Sequence, residues 1–387
     1  MVNQSGNILI SLLLFSCLIA NLIKPSEGAY YGYNQNLQDL VDNEDLIGGY
    51  EAGILSQKSL QEIGNLRDDN SAWEPEFPRL TEDSDWLKHD FLNNLGQVAG
   101  ISSHKNDTLY IFHRGNHIWD HRTFDLNEHY KHIGNGPIPN DTVVVVDTKT
   151  GKVIKSWGAN KFYLPHGISL DKEGNIWLTD VALQQVFRFK KDDLDKPDLI
   201  LGQPFQPGHD FHHFCLPTDV AVASSGLVYI SDGYCNRRIL IVSPSGTVLD
   251  EIGIKDNLFI PHSLVLLEEE NLICVADREN RRILCYTAGL DDRSRPGILT
   301  FNVNHPRLNR VFAVDHVGDV LFALSVPDDE SQSEGVTLDL ATERIIDTWK
   351  PASGFGQPHD ITVSLDKKSL FVSDIDPKSP KIYKFNM

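Results

Sequence analysis

From about Gly96 to the C-terminus, short runs alternate apolar and polar residues and end in Gly, Asn or Asp. Gly-Asn-Ile-Trp-Leu-Thr-Asp (174–180) parallels Gly-Leu-Val-Tyr-Ile-Ser-Asp (226–232). Asn-Leu-Ile-Cys-Val-Ala-Asp (271–277) and Ser-Leu-Phe-Val-Ser-Asp (369–374) follow the same plan. A period of two, rich in β-branched and aromatic residues and bounded by turn formers, predicts strands joined by hairpins. Each run leads into a second, such as Gln185–Phe189 or Arg238–Val242. No long stretch carries the period of a helix.

The runs belong to a repeat. Three units open on Leu164-Pro165-His166, Ile260-Pro261-His262 and Gln357-Pro358-His359. An Asp follows the histidine after 14 residues in the first unit and after 15 in the other two. Thr218 holds the histidine's place in another unit, and an earlier unit begins near Ala99. His262 and His359 stand 97 residues apart, room for two units. The hidden one takes in Arg310–Val314 and Val320–Leu324. Six units of 40 to 50 residues, about four strands each, predict an all-β, six-bladed β-propeller with NHL-like repeats. The last unit is too short for a full blade. A strand within 75–95 is expected to complete it, which removes an exposed sheet edge.

In a propeller the innermost strand of each blade lines the central channel, so equivalent positions face one axis. His166, His262 and His359 can therefore meet around one point. Three neutral imidazoles with an open fourth position suit a catalytic zinc. The bland alternative is a by-product of repeat duplication.

Length allows one large β domain with a substantial core. Residues 8–20 are an apolar run of 13, too short to cross a bilayer and suited to the core of a signal peptide ending near Gly28. The expected organisation is a signal peptide over 1–28, an acidic leader over 29–94 and the propeller over 95–387. The leader holds 14 acidic and 4 basic residues, and its stretch 35–72 is expected to be flexible or weakly helical. The whole chain carries −19, which argues against nucleic acid, and there is no membrane anchor after the signal. The expectation is a secreted monomer. Without Cys17, four cysteines remain: Cys215 and Cys235, 20 apart, and Cys274 and Cys285, 11 apart. An even count of local pairs in an oxidising compartment favours two disulfides over buried free thiols. Asn106 and Asn140 open glycosylation sequons.

Three other residues could act with a metal. Arg114, in Phe112-His113-Arg114-Gly115, follows the place where other units carry Asp and offers a planar cationic fork to an anion; a surface salt bridge is the alternative. Tyr234 sits beside Cys235, and a phenol near zinc and arginine with a lowered pKa could serve as a base. Arg278 follows the Asp of its unit. The adjacent His212 and His213 are assigned to a loop.

Taken together these motifs are familiar. Phe-His-Arg-Gly (112–115), Leu-Pro-His-Gly (164–167), His-Phe-Cys-Leu-Pro-Thr-Asp-Val-Ala-Val (213–222), Ser-Asp-Gly-Tyr-Cys-Asn (231–236) and Cys-Val-Ala-Asp-Arg-Glu-Asn (274–280) occur in order. From about Gly96 to Met387 the chain resembles the peptidyl-α-hydroxyglycine α-amidating lyases, the second catalytic part of peptidylglycine α-amidating monooxygenase. The resemblance implies zinc on His166, His262 and His359, and a structural calcium on the backbone carbonyls of Ile101 and Ile168 and the carboxylate of Asp360. It also implies Arg114, Tyr234 and Arg278 as active-site residues, with disulfides Cys215–Cys235 and Cys274–Cys285. Two positions depart from the family: Gln357 replaces a Met before the last Pro-His, and Asn116 an Asp beside Arg114.

The implied substrate is a peptide ending in α-hydroxyglycine, split into peptide amide and glyoxylate. Tyr234 would take the hydroxyl proton, Arg114 would stabilise the anion, and Arg278 would help hold the substrate. A separate peptidylglycine hydroxylating monooxygenase would supply that substrate. Rival expectations are a metal-dependent propeller hydrolase, a non-catalytic protein-binding propeller, and a lyase silenced at Gln357.

Overall fold

The structure, a computed structural model, describes residues 79–86, 89–105, 107–291, 295–376, 378 and 381–387. The expected signal peptide, the stretch 35–72 and the sequon at Asn106 lie outside them. The described strands form six four-stranded antiparallel sheets, built from residues 98–157, 165–201, 217–252, 261–303, 310–349 and 358–386. These are six propeller blades, and the all-β expectation holds.

The sixth blade has three strands of its own. Its fourth is Thr81–Glu82, which pairs with Ile382–Asn386 and closes the ring. Trp86 and Leu92 follow that strand and pack with Phe371, Ile382 and the first blade's Ile111. The ring therefore takes in the strand Thr81–Glu82, which precedes the first blade in the chain. The fifth blade opens on Arg310–Val317 and Val320–Val326, where the hidden unit is expected.

Apolar side chains on both faces of each sheet meet those of the next blade. One such layer joins Val265, Cys274 and Cys285 of the fourth blade to Val311, Val336 and Leu338 of the fifth. Another joins Phe112 and Val145 of the first to Ile176 and Phe189 of the second. Strands buried on both sides read as near-continuous apolar runs, as Val143–Asp147 and Arg238–Val242 do.

The conserved spacing of the repeat has a local cause. Pro165 pairs with Asp180, Pro261 with Asp277 and Pro358 with Asp374 in antiparallel register. The Asp then holds the loop that leads into Pro-His. Asp180 accepts the N–H groups of Tyr163, Leu164, Ala182 and Leu183 at 2.6–3.0 Å. Asp277 accepts from Phe259, and Asp374 from Gly356 and Gln357. A buried carboxylate with several N–H donors fixes a turn that would otherwise leave unpaired backbone groups. The first blade has His113 at this register, and its Nδ1 accepts from Gly115 at 3.1 Å. Burial holds that imidazole near pKa 4, so it stays an acceptor.

Candidate metal centre and active site

The inner strands place one residue per blade around the channel: Ala99, His166, Thr218, His262, Phe312 and His359. Histidine thus occupies alternate blades. The three rings stand 4.8, 4.9 and 4.9 Å apart between centroids, and their ligand nitrogens lie within 4.8 Å of one another.

The blades between them orient the rings. Nδ1 of His166 lies 2.9 Å from the Thr218 carbonyl, Nδ1 of His262 lies 2.6 Å from that of Phe312, and Nδ1 of His359 lies 2.7 Å from that of Ala99. A carbonyl can only accept, so each Nδ1 carries the proton and each Nε2 is left with a free lone pair. Burial is the main force keeping all three rings neutral. Neighbouring imidazoles and the two arginines add to it, and His359 is pushed down to about 3. Three inward Nε2 lone pairs, each braced from behind by a carbonyl, form a donor set that fits a borderline cation such as zinc.

Tyr234 reaches this point from the loop after the third blade's second strand. Its hydroxyl lies 3.2 Å from His166 Nε2 and 3.1 Å from His262 Nε2. Arg278 donates to it from Nη1 at 3.3 Å and lies 5.0 Å over its ring. The loop is pinned by the Cys215–Cys235 disulfide and by Gly233. A Cβ on Gly233 would come within 2.4 Å of Thr218 Cγ2 and 2.8 Å of the Pro261 carbonyl, so only glycine lets the loop pass beside the channel. The second disulfide joins Cys274 and Cys285, directly paired on adjacent strands. Both bridges point to an extracellular or secretory compartment.

In the protein without a metal ion, burial raises the pKa of Tyr234 and outweighs the lowering by Arg278 and Arg114. The arginines alone do not make this phenol a base at neutral pH.

Arg114 is fully buried rather than a surface ion pair. Nε donates to the Pro165 carbonyl at 2.9 Å and Nη1 to Gln97 Oε1 at 3.0 Å, while Nη2 has no partner among the described residues. Burial lowers its pKa to about 10, which leaves it cationic at neutral pH. A buried cation with an unpaired N–H suits an anionic ligand. Asn116 is not among its partners and is exposed, so the change from Asp at that position does not act on Arg114 directly.

Sequence reasoning missed Trp119 and Gln97. The Trp119 ring lies 4.7 Å from Tyr234, 6.0 Å from His166 and 5.0 Å under the Arg114 guanidinium. Gln97 Oε1 accepts from both Arg114 and the Trp119 N–H. A tryptophan in a segment without alternation was the available signal for the first; nothing marked the second.

Behind the histidines the channel turns acidic. Asp360 accepts the Ile101 N–H at 2.8 Å. Next to Ile101, Gly100 lies so near the second blade that a Cβ would come 2.6 Å from the His166 carbonyl and 3.0 Å from the Ile168 nitrogen. Asp360, Ile101 and Ile168 are thus close neighbours. Asp219 and Asp315 are near enough to repel Asp360, and all three carboxyls are raised, chiefly by burial. His212 and His213 lie elsewhere, in a loop where His213 pairs with Asp210 at 2.8 Å. Asn140 is exposed, as an acceptor site must be.

Comparison with known proteins now bears on this site. The NHL repeat family matches residues 214–242. A peptidyl-α-hydroxyglycine α-amidating lyase 2 of Drosophila melanogaster is 39% identical over 301 residues, which cover 77% of this chain and 72% of that protein. The chain belongs to the peptidyl-α-hydroxyglycine α-amidating lyase family. A probable member of this lyase family in Caenorhabditis elegans is 35% identical and covers 73% of this chain and 81% of its own length. The peptidyl-glycine α-amidating monooxygenase of Mus musculus is 39% identical over 332 residues, 81% of this chain, and the match spans about a third of that longer protein, 33%. Among solved structures, a nidogen/laminin complex (TM-score 0.50, 18% identity, covering 68% of this chain and 84% of that one) and a streptogramin B lyase (TM-score 0.50, 13% identity, covering 76% and 94%) share the fold. The lyase family names favour the lyase over the hydrolase and protein-binding alternatives.

Proposed function

We propose that this chain splits peptides ending in α-hydroxyglycine into a peptide amide and glyoxylate, with zinc held by His166, His262 and His359. The observation that carries the reading is the convergence of three neutral imidazoles on one point, with the Tyr234 hydroxyl against Nε2 of two of them, His166 and His262, and a buried arginine with an unpaired N–H nearby.

The reaction removes the proton of the carbinol hydroxyl, makes that oxygen a carbonyl, breaks the C–N bond and returns a proton to nitrogen. A bound zinc supplies Lewis acidity, lowering the cost of the hydroxyl's deprotonation. Arg114 binds developing or resident negative charge through Nη2, preorganised by Gln97, Pro165 and Trp119. Tyr234 would take the hydroxyl proton as the phenolate, a state that Arg278, Arg114 and a bound cation favour against the cost of burial, and would return it to the leaving nitrogen. Arg278 supports Tyr234 and the substrate's charged end.

Calcium is assigned to Asp360 with the carbonyls of Ile101 and Ile168. Oxygen donors beside two further buried carboxylates suit a hard cation, which offsets their mutual repulsion. The reading places the protein in the secretory pathway or outside the cell, glycosylated at Asn140 and Asn106, and downstream of a hydroxylating monooxygenase that makes its substrate.

One assay tests the proposal. Purified protein is given an N-acyl-α-hydroxyglycine, and glyoxylate is measured with and without a chelator. Release that a chelator abolishes and zinc restores supports the reading. No release from a metal-loaded, folded protein would overturn it.

A further inference from the structure

A polar cluster stands at the channel mouth beside His359, outside the machinery described above. Gln357 immediately precedes Pro358-His359. Its backbone is fixed on both sides: its N–H donates to Asp374, and its carbonyl accepts from Ile375 at 3.0 Å. Its side chain donates from Nε2 to Glu330 Oε2 at 2.7 Å. Glu330 begins a short 3₁₀ turn, Glu330–Gln332, that follows the fifth blade's second strand at the Pro-His end of the ring. Its other carboxylate oxygen lies 3.5 Å from Arg310 Nη2. Arg310 in turn lies 5.7 Å from the ring of Phe312, which touches both His262 and His359 at 5.2 and 6.0 Å between centroids. The cluster is thus one ring removed from the proposed metal.

Its hydrogen bonding is incomplete. Among the described residues, Gln357 Oε1 has no partner, and Arg310 Nε is buried without one. The exposure of the two charges decides what it favours. The Arg310 side chain is 18% exposed and that of Glu330 is 40% exposed. A group arriving from solvent therefore meets acceptors first: the Glu330 carboxylate and Gln357 Oε1.

We propose that Gln357, Glu330 and Arg310 form a subsite for the side chain of the residue that precedes α-hydroxyglycine, and that it favours a basic side chain over apolar and acidic ones. This rests on the lyase reading above and adds to it a preference built from three residues of this chain. The contact lies away from the bond that breaks, so it acts equally on bound substrate and transition state and appears in KM rather than kcat. A half-exposed, charge-assisted hydrogen bond is worth about a tenfold difference in affinity.

The test uses acetyl-X-α-hydroxyglycine substrates with X as Lys, Leu or Glu, and reads kcat and KM by glyoxylate release from zinc-loaded protein. The expected kcat/KM order is Lys, Leu, Glu, with Lys above Leu by about tenfold and the difference carried by KM. Gln357→Met is expected to bring the Lys-to-Leu ratio to about one or below it, because a thioether replaces the acceptor. Glu330→Gln, a change of similar size at a side chain that is 40% exposed, is expected to lower the same ratio and relieve the penalty on Glu. Equal kcat/KM for all three substrates in the parent protein would overturn the subsite while leaving the lyase intact. So would a Lys-to-Leu ratio that neither variant changes. No glyoxylate from any X would overturn the lyase reading, and the subsite with it.

Discussion

The second, fourth and sixth blades differ from the first, third and fifth in what they give to the channel. The former present His166, His262 and His359. The latter present Ala99, Thr218 and Phe312, which have no side-chain chemistry in common, yet each offers the same thing: a backbone carbonyl that accepts from the next imidazole. The ring thus has three-fold logic built on six-fold architecture. Ligand blades need one residue type, whereas bracing blades need only a backbone position and leave their side chains free for other use. The groups proposed to react also come from bracing blades: Arg114 follows the first blade's second strand, and Tyr234 the third's.

The largest effect should come from a pair of variants that sets one kind of blade against the other. His262→Ala is expected to lose bound zinc and to lower glyoxylate release more than 100-fold, beyond the roughly 10–100-fold loss that follows removal of an outer partner. Phe312→Leu keeps the carbonyl behind His262, and zinc content by elemental analysis should stay stoichiometric. Equal metal loss in both variants would break the distinction between ligand and bracing blades.

The next two changes should keep the metal and slow the reaction. Tyr234→Phe is expected to bind zinc normally and lose on the order of 100-fold in kcat, the scale of a missing proton carrier. Arg114→Lys should cost about 100-fold in kcat/KM, because an ammonium cannot serve Pro165, Gln97 and a ligand from one planar fork. Zinc lost from either variant would mean that the bracing blades hold the metal through their side chains as well.

The same division explains what could be read from sequence. Pro-His and its distant Asp are visible as a repeat because strand register pairs Pro directly with that Asp, so the spacing is fixed by geometry. The fifth blade is faint because Val311 and Phe312 replace Pro-His, and Ser325 the Asp. The closing strand has two residues, too few for any alternation to register. The bracing carbonyls leave no mark, since a backbone atom belongs to every residue. Gln97 and Trp119 escaped for a related reason: they act from irregular segments, where position depends on the whole ring. For Tyr234 the neighbouring charges are legible in the sequence, whereas the depth of burial that opposes them is not.

The smallest effect is the sharpest test of the bracing role. Thr218 is buried, and its hydroxyl bonds Ser231 and the Pro261 carbonyl at 2.6 and 2.8 Å, while its own carbonyl holds His166. Thr218→Ala removes the first set of contacts and leaves the last untouched. Losing a buried hydroxyl's bonds should cost about 1–2 kcal/mol, seen as a lower Tm. Zinc content should remain stoichiometric, and kcat/KM should stay within about threefold, because a bond made by the backbone survives the substitution. A variant that melts earlier but still holds its metal separates folding from ligation at one residue. If Thr218→Ala instead released zinc at an unchanged Tm, His166 would depend on the threonine side chain, and the carbonyl would not be what fixes the imidazole.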